Sequence, residues 1–359
     1  MAGVTVCTAA VTATMYFGSV FFRQVAGWSL RLQFPAAQPS YVTGIQIHRP
    51  SHADKEQPSL SYPNTGGQAI QPSVGDGVEW VQFDIPEPQT PPPEALDGGK
   101  IKEMQMTGGR EEVDGVCYND RSGRESVDMQ AALQTDLTLQ LHGDAPLVLL
   151  MHTHTTESYM AYDAGYYNKS DPSRTTNEKE NVVAIGEMMA QQLQAAGIPV
   201  LHDTTVHDQP YSGAYSRSLK TVQSILKQYP SIQVVIDVHR DGVMADETTK
   251  VKPTVKINGE KVAQVMLLVG LNDTKSVPNP NWPNNLAMAA QLQQFADASK
   301  DGLMRPMVLR DGRFNQHTAP YCFLVEMGSD SNTLSEAMRA ADLFGQRLAL
   351  FLREELKKG

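Results

Sequence analysis

The sequence predicts an α/β fold: a mostly parallel sheet flanked by helices, preceded by an N-terminal membrane helix and an irregular stalk. Three observations carry that expectation. Five short apolar runs, Leu147–Met151, Ile198–Leu201, Val234–Val238, Val265–Val269 and Phe323–Val325, are nearly continuous, as strands covered on both faces are. Stretches of helical period lie between several of them, and alternation of this kind builds parallel sheets with right-handed crossovers. Before about residue 109 the chain holds neither period for long.

Met1 to Phe22 contains no charged residue, and Val4 to Phe22 is about long enough to cross a bilayer. Arg23 and Arg31 come after it, and the positive charge that opens a signal peptide is missing. An uncleaved anchor over residues 1–30 is therefore expected, with the rest of the chain outside the cytoplasm. Residues 31–108 are expected to be a stalk. "PSHADKEQPSLSYPNTGGQAIQPS" and "IPEPQTPPPEALDGG" concentrate Pro, Gly, Ser and Gln, and bury too little apolar surface to offset chain entropy. Val78 to Ile85 alternates enough for a short strand within it.

Residues 109–359 are expected to form the catalytic domain. "VDMQAALQTDLTLQL" suggests a short helix and then a strand. In Asn181–Ala196, Val182, Ile185, Met189 and Leu193 fall on one stripe, and Gly197 stands where a helix stops. Tyr215–Tyr229 and Asn284–Leu303 have similar character, and Leu334–Lys358 reads as a terminal amphipathic helix.

Composition excludes some functions. A formal charge of −10 argues against a nucleic-acid partner, because phosphate binding needs clustered Lys and Arg. Cys7, Cys117 and Cys322 form no CxxC and no disulfide framework. No GxSxG elbow is present to support a serine esterase.

The strand ends carry the chemistry. In open α/β sheets ligands sit beyond the carboxyl ends of the strands. Here "LVLLM" runs into His152-Thr153-His154 with Glu157 close behind, "VVIDV" into His239-Arg240-Asp241, and "FLV" into Glu326. Two histidines and a carboxylate are a catalytic zinc set, which leaves a fourth position for water. An amide hydrolase also needs a carboxylate to carry a proton from the water to the leaving nitrogen, and Glu326 suits that role. His152 and His154 share a face if the segment is extended, but a loop begins here, so either can be the ligand. His202 and His207, with Asp203 and Asp208, are read as polar loop groups.

"VLLMHTHTTESYM", "NVVAIG", "HDTTVHD", "YSGAYSRSL", "YPSIQVVIDVHRDG", "NPNWPNNLAMA" and "RFNQHTAPYCFLVEMGSDSNTLSEA", in that order from about Val113 to Leu350, closely resemble the stage II sporulation protein P family. The resemblance implies a Zn2+-dependent N-acetylmuramoyl-L-alanine amidase domain acting on peptidoglycan, with endopeptidase action as well. It implies septal wall thinning and engulfment during endospore formation. It implies as partners the membrane protein stage II sporulation protein M and the lytic transglycosylase stage II sporulation protein D. Carried over by position, it implies His154, with His152 at the strand end, and His239 as metal ligands and Glu326 as the catalytic acid/base. The carboxylate ligand is Glu157, or Glu178 or Glu180 at the start of the next helix. Arg240 and His317 look like substrate or supporting groups. The second reading is a wall-binding or scaffolding module of the same fold without catalysis.

Overall fold

The order of apolar runs already separates what is buried from what is not, and the computed structural model shows the layers they make over residues 45–48, 77–93 and 97–358. The expected membrane helix and much of the expected stalk lie outside the described residues. Among the described residues no helix is long and apolar enough to cross a membrane.

The main sheet is built from β1 (Ile45–His48), β3 (Glu111–Val113), β4 (Val116–Arg121), β5 (Val148–Met151), β7 (Val200–Asp203), β8 (Val234–Asp241), β11 (Val265–Gly270), β12 (Met307–Arg310) and β13 (Tyr321–Ser329). Its order is β1-β7-β5-β8-β13-β11-β12-β4-β3. The run β7-β5-β8-β13 is parallel, whereas β13 pairs β11 antiparallel and both edge strands are antiparallel too. The pairs β11–β12 and β12–β4 are parallel as well, so five of the eight pairings are parallel: the sheet is mostly parallel, as expected, with antiparallel steps at β13–β11 and at both edges. No crossover helix separates β8 from β11: the chain turns back through a hairpin, and a strand returning without a crossover is antiparallel.

A second, unexpected sheet is β10-β9-β2-β6, formed by β2 (Gly99–Met104), β6 (Tyr166–Tyr167), β9 (Thr249–Ile257) and β10 (Glu260–Ala263). The β9–β10 hairpin turns at Asn258-Gly259, both at positive φ (55° and 86°), the backbone a two-residue hairpin turn demands. Lys252 of β9 is 1 % exposed and its Nζ lies 2.6 Å from both Asp163 and Glu336.

The helices are α1 (Met129–Gln134), α2 (Val182–Ala195), α3 (Ala214–Gln228), α4 (Trp282–Ala296) and α5 (Leu334–Lys358). Asn181 caps α2 by accepting from the Val183 amide at 2.9 Å, and Asp128 caps α1 through the Ala131 amide. The α4 helix ends at Ala296, short of Leu303.

Strand alternation sorts the core into two faces. Val148 and Leu150 of β5, Val234, Ile236 and Val238 of β8, and Tyr321, Phe323, Val325 and Met327 of β13 belong to the large cluster that includes residues of α1, α2, α4 and α5. Leu149, Met151, Val235 and Cys322 point the other way, against Val222 and Ile225 of α3. By the same period Asp237, His239 and Glu326 lie on the thinner, α3 face.

The described residues belong to one unit, Val42–Gly359. It reaches further toward the N-terminus than composition indicates. Val78, Trp80 and Phe83 pack on the large core, and Gln192 of α2 clamps Val81 by accepting from its amide at 3.1 Å and donating to its carbonyl at 2.9 Å. Val78 to Ile85 is therefore not a strand: the Val81 backbone pairs with a side-chain amide and not with a neighbouring strand. The "TLQL" stretch, Thr138–Leu141, is likewise no strand.

Candidate functional site

Two strands and one strand-to-loop junction meet on the α3 face: β8 and β13 run on past the expected ends at Val238 and Val325, to Asp241 and Ser329, while β5 ends at Met151. β8 carries Asp237, His239 and Asp241 at alternate positions, so their side chains share that face. β13 pairs with it in parallel register, and His239 stands directly opposite Glu326. The register shifts between Glu326 and Ser329, where Gly328 takes φ 74°. A Cβ at Gly328 would come within 2.8 Å of Ala263 and Asn332, so this bulge needs glycine. The loop after β5 supplies the rest: the rings of His154 and His239 are 5.3 Å apart, and Glu157 Oε2 lies 3.3 Å from His239 Nδ1.

Each of these side chains has a distinct environment. His239 is 3 % exposed. Burial pushes its pKa down, but Asp237 and then Glu157 outweigh it and hold it well above the ordinary range. Its Nε2 lies 2.8 Å from Asp237 Oδ1 in an ion-pair contact, yet the alignment is not that of a hydrogen bond and Nε2 has no hydrogen-bond partner. Asp237 Oδ1 instead accepts from the Thr153 amide at 2.8 Å, which ties β8 to the loop. Glu157 also takes the Arg240 amide at 3.2 Å and Arg174 at 3.4 Å. Burial raises its pKa, and the contact with His239 more than reverses this. Burial, and then the neighbouring Asp241 carboxylate, lifts Glu326 to about 8. His154 stacks on Tyr211, with ring centroids 4.7 Å apart and planes within 8°.

His152 stands apart from this group. Its Nδ1 bonds the Val238 carbonyl and its Nε2 meets His202 Nε2, each at 2.9 Å, so both ring nitrogens are engaged. Burial, with His202 beside it, lowers its pKa to about 3. Of the two histidines at this strand end, only His154 keeps a free buried nitrogen. His207 bonds the His152 carbonyl and Thr221, and Asp208 takes the Thr156 amide and Arg174, so both hold loops. Glu178 and Glu180 are exposed, on the turn before α2. The Arg240 guanidinium bonds the carbonyls of Ser158 and Ser173 and braces the loop that carries Glu157. His317 lies on the loop before β13, where its carbonyl accepts from Asn281; among the described residues no hydrogen bond, ion pair or ring contact joins its ring to the cluster.

The donor chemistry fits a metal. Four buried polar atoms of neighbouring side chains lack hydrogen-bond partners: His154 Nδ1, His239 Nε2, Asp237 Oδ2 and Glu326 Oε2. Buried polar atoms are seldom left so, and nitrogen with carboxylate oxygen suits zinc. Among the described residues the one group of ligand atoms lying within 4.8 Å of one another is elsewhere, at Glu103, Asp163 and Glu336. The ammonium groups of Lys252 and Lys261 sit among those carboxylates at 2.6–3.6 Å, so that group is a salt-bridge network. His154, Glu157 and His239 are set more loosely than that.

The sequence model described as "Stage II sporulation protein P (SpoIIP)" matches residues 87–349. The chain belongs to the stage II sporulation protein P family. Stage II sporulation protein P of Bacillus subtilis (strain 168) is 28 % identical over 221 residues, which cover 58 % of this chain and 52 % of that protein. This family member thus spans about half the length of the curated relative it matches. Among solved structures it is similar to the N-acetylmuramyl-L-alanine amidase Ami1 from Mycobacterium smegmatis, with 12 % identity, 61 % of this chain and 100 % of that one covered, and a TM-score of 0.35. It is also similar to the CwlD amidase from Clostridioides difficile in complex with the GerS lipoprotein, with 11 % identity, coverages of 59 % and 99 %, and a TM-score of 0.34.

Asp237, Arg174 and Tyr211 are site residues that sequence reasoning missed. Asp237 was within reach, because it lies two residues before His239 on one strand face. Arg174 and Tyr211 sit in loops with no local signal, and only the fold brings them to Glu157 and His154.

Proposed function

We propose that this chain is a zinc-dependent peptidoglycan hydrolase that cleaves the amide between N-acetylmuramic acid and the L-alanine of the stem peptide. The observation that carries this is His239 opposite Glu326 in the β8–β13 register, with His154 beside them and a free polar atom on each. His154, His239 and Glu157 would hold the ion. The chemistry a bound zinc supplies is Lewis acidity toward the amide carbonyl and the attacking water. Glu326 takes the water's proton and returns it to the leaving nitrogen, a role that favours a pKa near the working pH, and burial has lifted it to about 8. The Arg240 amide orients Glu157, and Asp237, fixed by the Thr153 amide, places a negative charge beside His239.

Family membership supports a role in septal wall thinning and engulfment during sporulation, with stage II sporulation proteins D and M as partners. The charge-free N-terminal stretch supports tethering to the membrane, with the catalytic unit outside the cytoplasm. Cleavage of peptide cross-links is a further activity to be read from the same products.

The test is dye release from labelled peptidoglycan by residues 77–359, followed by product analysis. Stem peptides freed from muramic acid are expected, and chelator abolishes release. Glu326→Gln keeps the metal and loses about 100-fold or more in rate, whereas His239→Ala loses metal and activity together. Release that survives chelator or Glu326→Gln would refute the mechanism.

A further inference from the structure

A cavity of about 430 Å³ opens beside the cluster, within the roughly 300–1,000 Å³ of small-ligand sites. Ser158, the residue after Glu157, lines it, and so does Arg174, whose Nη2 is 3.4 Å from Glu157 Oε1. The cavity therefore begins next to the site's own carboxylate. Its floor is apolar: Tyr159 and Met160 are 6 % and 5 % exposed, and the Tyr159 hydroxyl is turned to the Met327 carbonyl at 3.0 Å. Its far wall is the extended segment around Pro86 and Pro88, held by Ser335 at the Pro86 carbonyl and by the Gln89 amide on the Ala161 carbonyl at 2.8 Å. Prolines have no N–H, so this wall recognises a ligand mainly through side chains.

The charges along the rim decide the ligand. Asp171 is already satisfied by the Asn168 amide and the Tyr162 hydroxyl. Lys179, Glu180 and Glu87 line the cavity, are exposed, and have no side-chain partner among the described residues. A sugar carries no charge to meet them. A nucleic acid would need cations without facing carboxylates. An apolar floor with free charges of both signs matches a short peptide that bears an ammonium and a carboxylate.

We infer that this cavity is the subsite for the peptide portion of the substrate, and that it takes a short zwitterionic peptide with Lys179 on its carboxylate and Glu87 and Glu180 on its ammonium. The inference rests on the amidase proposal for the origin of that peptide, and binding tests it without hydrolysis. The probe is the free tetrapeptide Ala-Glu-Lys-Ala, titrated calorimetrically into the full chain carrying Glu326→Gln. Two control peptides are used, one lacking carboxylates (Gln for Glu, amidated end) and one lacking ammonium groups (acetylated, norleucine for Lys).

Lys179→Glu is expected to weaken the free peptide about five- to tenfold and to leave the carboxylate-free peptide unchanged. Glu87→Lys with Glu180→Lys does the converse, sparing the ammonium-free peptide. Failure of the free peptide to bind, or affinities that ignore both charge reversals, would overturn the subsite. Peptide binding that persists while the wild-type chain frees no stem peptide would sink the amidase proposal and leave the subsite standing.

Discussion

Glu326 and His239 face one another with their protonation tendencies reversed from the ordinary. The carboxyl is pushed up to about 8 by burial and Asp241, and the imidazole is held up against burial by Asp237 and Glu157. For the metal-free protein this has a definite sign. An unfolded Glu326 titrates near its ordinary value of 4.5 and the folded one near 8. The folded state thus holds an extra proton between those limits, and its stability falls as pH rises through them. Glu326→Gln removes that slope. Denaturant melts of the chelated proteins should show the variant gaining on wild type by roughly 3–4 kcal/mol from pH 5 to pH 8, and parallel curves would disprove the buried carboxyl. Asp237 acts through His239, which it passes at 2.8 Å while binding the Thr153 amide. Asp237→Asn keeps the shape and removes the charge. Zinc affinity should fall about 10- to 100-fold, and competition with a chromophoric chelator measures it.

At the scale of elements, α2 couples the site to the core. Its Gly186 faces the buried His152–His202 pair, and a Cβ there would lie 2.6 Å from His202 Nε2 and 2.8 Å from His152 Nε2. Alanine in place of glycine inside a helix normally gains about 1 kcal/mol. Here overpacking, worth roughly 1–3 kcal/mol, opposes it, and the two rings cannot retreat without breaking their 2.9 Å contact. The clash wins: Gly186→Ala should lower the thermal midpoint, and an unchanged or raised midpoint would show that the histidine pair gives way. The same 3.6-residue period that placed Val182, Ile185, Met189 and Leu193 in the core leaves Gln192, fully buried, to hold the N-terminal segment.

Over the whole molecule, the segment that composition marks as stalk is partly structural. Trp80 and Phe83 pack on the core, and β2 pairs with β9 in the second sheet. A chain begun at residue 109 loses both. Against one begun at residue 77 it should melt roughly 5 °C or more lower and be cut faster by protease near Lys252, whose neighbour Glu103 leaves with β2. Equal calorimetric midpoints would show that residues 77–108 are dispensable to the fold.

The sequence by itself determined the α/β alternation, because apolar runs and helical stripes are local consequences of burial. It marked His154, His239 and Glu326 as polar residues that follow apolar runs, but only β5 ends there; β8 and β13 continue past His239 and Glu326 to Asp241 and Ser329, because those stretches are themselves largely buried. It also contained the Asn258-Gly259 turn that makes β9 and β10 a hairpin. Only the tertiary structure decided the antiparallel β11–β13 pairing and the joining of β2 to β9, because pairing depends on which distant strands meet. It alone distinguished His154 from His152. One residue's spacing says nothing of partners, and His152 faces Val238 and His202, residues 86 and 50 positions away in the chain.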